Sequence, residues 1–238
     1  MRTQNTGARR VYIADRMRTQ SRWTGEPLPR GRHKLSRDEV LASQRGRLLR
    51  AMEELVGELG YESTTVPQVI KAAHVSTATF YRFFADKVDC FIALCEERGE
   101  RLLSALMPDP DELRSVEPSA SLDRGIEVYL RWWQENPAMA RAYFVELPAA
   151  GPRAIAERDR QYERFVALNR VVAGQFRGPD DPEPPEIDVR ASVMVTTELI
   201  ASEIRRGNVE RLLNLRGDVR RLLMKLLGPA GVELEIGG

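Results

Sequence analysis

Histidine and cysteine, two residue types that often carry chemistry, are nearly missing: the 238 residues hold 2 of each. His33 and His74 stand far apart, and no Cys/His spacing suited to a metal site occurs. Cys90 and Cys95, five apart in a predicted helix, form no disulfide framework and suit a reducing compartment; they read as small core thiols. No apolar run reaches the ~18 residues that a membrane span needs. The N-terminus lacks an apolar h-region, so secretion is not expected and the cytoplasm is. Strand patterns are missing too, apart from a weak alternation at 232–236. Without strands, no glycine-rich loop follows one to cradle phosphates. The adjacent pairs Glu53-Glu54 and Glu96-Glu97 read as solvated helix faces. An enzyme therefore has little to work with here, and no cofactor is expected.

Charge is present in abundance but unevenly. The formal net charge is +1, yet residues 1–87 carry 16 Lys and Arg against 9 Asp and Glu, a net of +7. Residues 88–238 carry 20 against 26, a net of −6. A basic head on an acidic body suggests a polyanionic partner for the head alone. Up to Arg37 there are ten basic positions, with only Asp15 and Glu26 as acids. Residues 1–35 lack hydrophobic periodicity and read as a flexible basic arm ending in Pro29-Arg30-Gly31-Arg32-His33-Lys34. A solubilising tail and an Arg-rich transit peptide are the competing readings; adjacency to the module described next favours an arm that grips DNA.

The hydrophobic fraction of 42% suffices for an ordinary core, and its spacing is helical throughout. The first predicted helix covers 37–59, opened by a capping box at Ser36-Arg37-Asp38-Glu39, with Leu48, Met52, Leu55, Val56 and Leu59 on one face and Gly60 as a left-handed stop. A second short helix starts at Thr65, with Gln68 completing another capping box and Pro67 in the first turn. His74-Val75-Ser76 makes a tight turn, Ser76 caps a third helix, and Asp86 caps a fourth that reaches about 106 before Pro108-Asp109-Pro110. Five more helices are predicted: 119–135; a sixth from Asn136 and Pro137 to Pro148 and Gly151; 152–176; 186–206; and a ninth from Asn208 to 227. Gly228-Pro229 ends the last. The fold class is all-α, divided into residues 1–35 (arm), 36–87 (helix-turn-helix head) and 88–238 (helical body).

The stretch from Thr64 to Lys87 carries the chemistry. A helix that enters a DNA major groove needs small or hydrogen-bonding residues at its N-terminal end, where base edges and thymine methyls are met. Thr77, Ala78 and Thr79 fit that need, with Ser76 at the cap; Tyr81 and Arg82 lie where phosphates are within reach. Phe80 and Phe84 are expected to anchor this helix on the first and fourth. Thr64 and Thr65 offer hydroxyls and free N–H groups to a phosphate. Lys87 opposes its own helix dipole, a conflict that a neighbouring phosphate would resolve.

These residues resemble a known family. Leu49–Cys90 is similar to the DNA-binding domain of the TetR/AcrR transcriptional regulators, on Leu59-Gly60-Tyr61, Thr64-Thr65-Val66, Ile70, Ala73, Val75-Ser76, Phe80-Tyr81, Phe84 and Asp86-Lys87 in contiguous spacing. His74 and Ala78 stand where that family commonly has glycine, and the long arm with Arg30, Arg32 and Lys34 resembles only a subset. The resemblance implies an operator-binding homodimer, usually a repressor, joined through its last two helices, with an effector cavity in the C-terminal domain. In this sequence the dimer stripes would be Ala191, Val195, Leu199 and Ser202 on the eighth helix, and Leu212, Leu215, Val219, Leu222, Leu223 and Leu226 on the ninth; the same stripes also suit a monomer core. Candidates for the cavity are Tyr129, Trp132, Trp133, Tyr143, Phe144, Glu146, Phe165, Asn169, Met194 and Glu198. Consecutive Trp132 and Trp133 are expected to face different ways, one toward the cavity or a partner. The expected ligand is a small apolar effector, neutral or cationic, since no cationic cluster marks the helices around it; Glu146 or Glu198 would pair with a cation. Two other readings stay open: a DNA-binding protein whose C-terminal half is purely structural, and an α-helical enzyme with a basic tail.

Overall fold

Ser36 opens the described part of the chain by capping α1 (Arg37–Leu59): its hydroxyl accepts from the Glu39 N–H, and the Glu39 carboxylate accepts from the Ser36 N–H at 2.8 Å. The structure is a computed structural model and describes residues 36–107, 116–178 and 180–228. The basic arm, the Pro108-Asp109-Pro110 stop, Pro229 and the 232–236 alternation lie outside the described residues.

Along α1, Leu48, Leu49, Met52 and Val56 are buried, while Leu59 at its end is 41% exposed and leaves the expected stripe. Gly60 has a positive φ of 84°, but with an extended ψ of 161° it is not the left-handed stop expected. α2 (Val66–Ala73) follows the Thr65/Gln68 box, in which the Thr65 N–H and hydroxyl both donate to Gln68 Oε1 at 2.7 Å. His74 ends α2 at φ 51° and ψ 49°, the one non-glycine residue with positive φ among those described. The turn thus takes the left-handed geometry that histidine tolerates better than most side chains. Ser76 caps α3 (Thr77–Phe83), accepting from the Thr79 N–H. Asp86 caps α4 (Lys87–Leu106), accepting from the Asp89 N–H at 2.7 Å.

The body begins with α5 (Pro118–Glu135) and α6 (Pro137–Arg141). Asn136 does not cap α6 with its side chain; its Nδ2 donates back to the Trp132 carbonyl at 2.7 Å and closes α5. The sixth helix expected as one piece changes pitch twice, through a π turn at Ala142–Glu146 and 3-10 turns at Leu147–Ala150. α7 (Pro152–Gly174), α8 (Glu186–Arg205), 3-10 turns at Val209–Leu215 and α9 (Arg216–Leu227) complete the chain. No strand occurs among the described residues.

One apolar core runs without a break from head to body. Where α1 passes α6, a Cβ on Gly57 would come within 2.7 Å of the Ala138 Cβ, so glycine there permits the close crossing. Three polar ties reinforce the seam. Arg98 of α4 donates to Glu53 of α1 from both Nε and Nη2, at 2.8 and 2.5 Å. Glu146 of the π turn accepts from the Tyr61 N–H at 2.9 Å. Arg153, at the start of α7, pairs with Asp86 and Asp89 at the start of α4. Burial pushes the Cys90 thiol up to about 12 and Cys95 higher still, so both remain inert core thiols at neutral pH.

Candidate DNA-reading surface and internal cavity

α3 is held from one side and bare on the other. Phe80 is fully buried and Phe84 nearly so, anchoring the helix on the head core. Thr77, Ala78, Tyr81 and Arg82 are exposed on the opposite face, with Tyr81 at 56% and braced edge-on against Phe80, centroids 5.3 Å apart. Thr79 is half-buried, its hydroxyl 2.9 Å from the Ser76 hydroxyl, so the two share the cap and the surface. The C-terminus of α2 is pinned by Arg47, whose Nη1 donates to the Ala73 and His74 carbonyls at 3.0 and 3.2 Å. Exposed Lys71 adds a cation on α2 that the motif reading passed over, because it looked like any solvated helix position.

Two expected phosphate contacts are placed differently. The Thr64 side chain is fully buried and its hydroxyl donates to the Gly60 carbonyl at 2.8 Å, so it is spent on the turn. Lys87 Nζ donates to the Tyr61 and Thr64 carbonyls at 2.9 Å each and lies 4.0 Å from the Tyr61 ring centre. The carbonyls and the ring, not a phosphate, offset its unfavourable place at a helix N-terminus. Burial holds its pKa below the usual lysine range. Thr65 remains exposed, although its hydroxyl is engaged by Gln68. Arg30, Arg32 and Lys34 lie outside the described residues.

The body holds a cavity of about 90 Å³, partly open to solvent, between α5, α7, α8 and α9. Of the residues offered for an effector cavity, Tyr129, Phe165 and Asn169 line this one. So do Leu122, Ile126, Leu168, Val172 and Val193, together with Ser192, Thr196, Thr197 and Arg124. Asn169 Nδ2 donates to Ser192 Oγ at 2.7 Å, and the buried Thr196 hydroxyl has no hydrogen-bond partner among the described residues. A chamber of about 10 Å³ adjoins it, sharing Tyr129, Phe165 and Thr197 and adding Trp133 and Tyr143.

The remaining cavity candidates sit elsewhere. Trp132 and Phe144 line neither space. Trp132 and Trp133 are both buried in the same core, edge to face at 4.6 Å. Consecutive indoles can both be covered because α5 is packed on several sides, against α4, α6, α9 and the turns at 209–215. Glu146 faces the head, bound to Tyr61 N–H and Arg141. Met194 is 61% exposed, and Glu198 is exposed and paired with Arg205. Of the dimer stripe expected on the ninth helix, Leu212, Val219 and Leu223 are buried and Leu215, Leu222 and Leu226 half-buried, and Val219 and Leu223 line the cavity. On α8 the expected Val195 is 41% exposed and Ala191, Leu199 and Ser202 are half-buried, while Ile187 and Met194 stand out at 69% and 61% exposure.

Known proteins are similar to this chain at both levels. Residues 48–94 match the family model described as bacterial regulatory proteins, tetR family. An uncharacterised HTH-type transcriptional regulator of Mycobacterium tuberculosis is 30% identical over 154 residues, covering 65% of this chain and 73% of that one. The transcriptional regulator AcuR of Cereibacter sphaeroides is 42% identical over 67 residues, 28% of this chain and 30% of its own. Among solved structures, FadR of Bacillus subtilis in complex with stearoyl-CoA overlays with a TM-score of 0.63 at 17% identity, covering 79% of this chain and 99% of that one. Salmonella enterica GusR does so with 0.62 at 22%, covering 82% and 99%. At these identities the overlays establish the fold.

Proposed function

Because this chain belongs to the tetR family of bacterial regulatory proteins, and so is a transcriptional regulator with an N-terminal DNA-binding domain rather than an enzyme, we propose that it is a cytoplasmic homodimeric repressor released from its operator by a small apolar effector. The observation that carries the DNA-reading role is α3, whose exposed Thr77, Ala78, Tyr81 and Arg82 stand opposite the buried Phe80 and Phe84. Thr65, Ser76 and Thr79 supply polar groups at the two helix starts, and Lys71 and Arg82 supply charge for phosphates. The basic arm with Arg30, Arg32 and Lys34 would extend the grip along the backbone or into the minor groove.

Two heads reach successive major grooves when they stand about one helical turn of DNA apart, roughly 34–36 Å. The exposed apolar face of α8, at Ile187, Met194 and Val195, supports pairing through that helix, with α9 beside it supplying chiefly its rim. The cavity between α5, α7, α8 and α9 supports an effector site. A ligand there acts only as far as it binds the released state better than the DNA-bound one. A purely structural body is the second reading, and the cavity speaks against it, since a structural core would be sealed.

Replacing Tyr81 or Thr79 by Ala tests the assignment. Each change should weaken operator binding by about 1–3 kcal/mol while leaving the circular dichroism spectrum unaltered. Gel-shift titration against a fragment selected by the wild-type protein reads it. Wild-type affinity in both variants would remove α3 from the groove.

A further inference from the structure

Polar groups are set into both walls, Arg124 and Asn169 at the cavity and Arg98 and Gln161 at the chamber. Among the described residues, neither the cavity nor the chamber beside it has an aspartate or glutamate in its wall. The cavity is walled chiefly by aliphatic side chains and Phe165. The chamber is different: the phenols of Tyr129, Tyr143 and Tyr162 and the indole of Trp133 border it. Burial pushes the Tyr129 phenol up to about 12 and Tyr143 well above its ordinary range, so both keep their protons at neutral pH. Trp133 is 4% exposed, and its Nε1–H is turned to the Tyr129 phenol without reaching good hydrogen-bond geometry. An indole nitrogen can only donate. The Tyr129 and Tyr162 phenols are already shared with Thr197, so the Trp133 Nε1–H is the weakly used donor that an incoming acceptor would take up.

The chamber also holds a charge. Arg98 lines the chamber, and its Nε and Nη2 both go to Glu53 Oε2 on α1, in a pair whose side chains are only 20% and 10% exposed. Its Nη1 makes no hydrogen bond among the described residues. That guanidinium is one point where the lining of the body touches the helix that leads into the head.

We propose that the effector is an apolar monocarboxylate, its chain in the cavity and its head in the chamber on Arg98 and Trp133 Nε1, and that the head loosens the Glu53–Arg98 tie. The inference rests on the cavity being the effector site. A carboxylate has about four acceptor positions, and charge-assisted bonds to a guanidinium are the strong ones. An amine would meet a guanidinium and no counter-ion. A neutral alcohol would gain no charge-assisted bond. The chamber, about 10 Å³, holds at most one water as it stands, so the head enters only when the Tyr129–Phe165 pair, centroids 5.7 Å apart, swings aside. Once there, a second carboxylate on one guanidinium repels Glu53 across a poorly solvated space. The grip of α4 on α1 weakens, and with it the setting of the head.

Calorimetric titration of the full chain with butanoate, hexanoate and octanoate, each beside the alcohol and the amine of equal length, tests this. A carboxylate should bind at least tenfold more tightly than its matched alcohol, and the amines should not bind. In Glu53→Gln/Arg98→Gln, which replaces the buried ion pair by a neutral amide pair, that ratio should fall to near one. In Trp133→Phe, which keeps the ring and loses the donor, carboxylate affinity should drop several-fold and alcohol affinity hardly at all. An alcohol that matches its carboxylate in the wild type, or a preference that survives in both variants, overturns the inference and leaves the cavity reading standing. If none of the compounds binds, the effector reading of the cavity falls, and this inference with it.

Discussion

Lys87 shows what a single side chain can be made to do when its neighbours are not adjacent in sequence. A cation at a helix start is unfavourable by itself, and the sequence pattern suggests a phosphate as the remedy. The fold provides another, the carbonyls of Tyr61 and Thr64 in the α1–α2 turn. Replacing Lys87 by Met should leave those acceptors without a partner and cost about 1–2 kcal/mol of stability, read as a lower midpoint in urea. Unchanged stability with weakened DNA binding would return Lys87 to the phosphate. His74 makes the opposite test. It occupies the left-handed region at φ 51°, where a side chain costs roughly 1–2 kcal/mol. His74→Gly relieves that cost but adds about 0.5–1 kcal/mol of chain entropy. A net gain of about 0.5–1 kcal/mol is expected in thermal melts; His74→Val, β-branched, should lose stability.

At the scale of the element, helix boundaries followed local chemistry and helix environments did not. The caps at Ser36, Thr65, Ser76 and Asp86 are short-range bonds between residues three apart, so their spacing alone reveals them. The pitch changes at 142–150 and 209–215 leave no comparable mark, because a π or 3-10 turn uses the same residue types as an α turn. The face that each helix turns outward was equally hidden. Apolar stripes on α8 and α9 look alike in sequence, yet Leu223 is buried at the cavity and Met194 is open. Met194→Glu should therefore convert the protein to monomers with little effect on the fold, as expected for a surface change. Light scattering at micromolar concentration measures it. An unchanged dimer mass would place the interface elsewhere, and Leu223→Glu, by contrast, should unfold the body.

The whole molecule couples a basic head to an acidic body through a seam of ion pairs and one continuous core. Charge asymmetry along the chain makes a quantitative expectation for the arm. Removal of residues 1–35 should weaken binding to every DNA sequence and lower the slope of log K against log salt by about 0.9 for every phosphate that the arm neutralises. Fluorescence anisotropy across a salt series reads the slope, and an unaltered slope would make the arm a solubilising tail.

Sequence alone was enough for the all-α class and the helix-turn-helix head, because capping, period and the α2–turn–α3 spacing are local and repeat their logic within four residues. The burial of Phe80 and Phe84 beneath an exposed Tyr81 followed from the same period. Tertiary structure alone decided which polar groups were free. Thr64, Lys87 and Glu146 have the chemistry of a ligand site, but each is consumed by a backbone group of the α1–α2 turn. Sequence offered Tyr129, Trp133, Tyr143, Phe165 and Asn169 for a cavity, but not the place or shape of the two spaces they line. The spaces are made by residues of every helix from α4 to α9 that meet only once the helices are packed, and no spacing along one helix records where its neighbours will leave a gap.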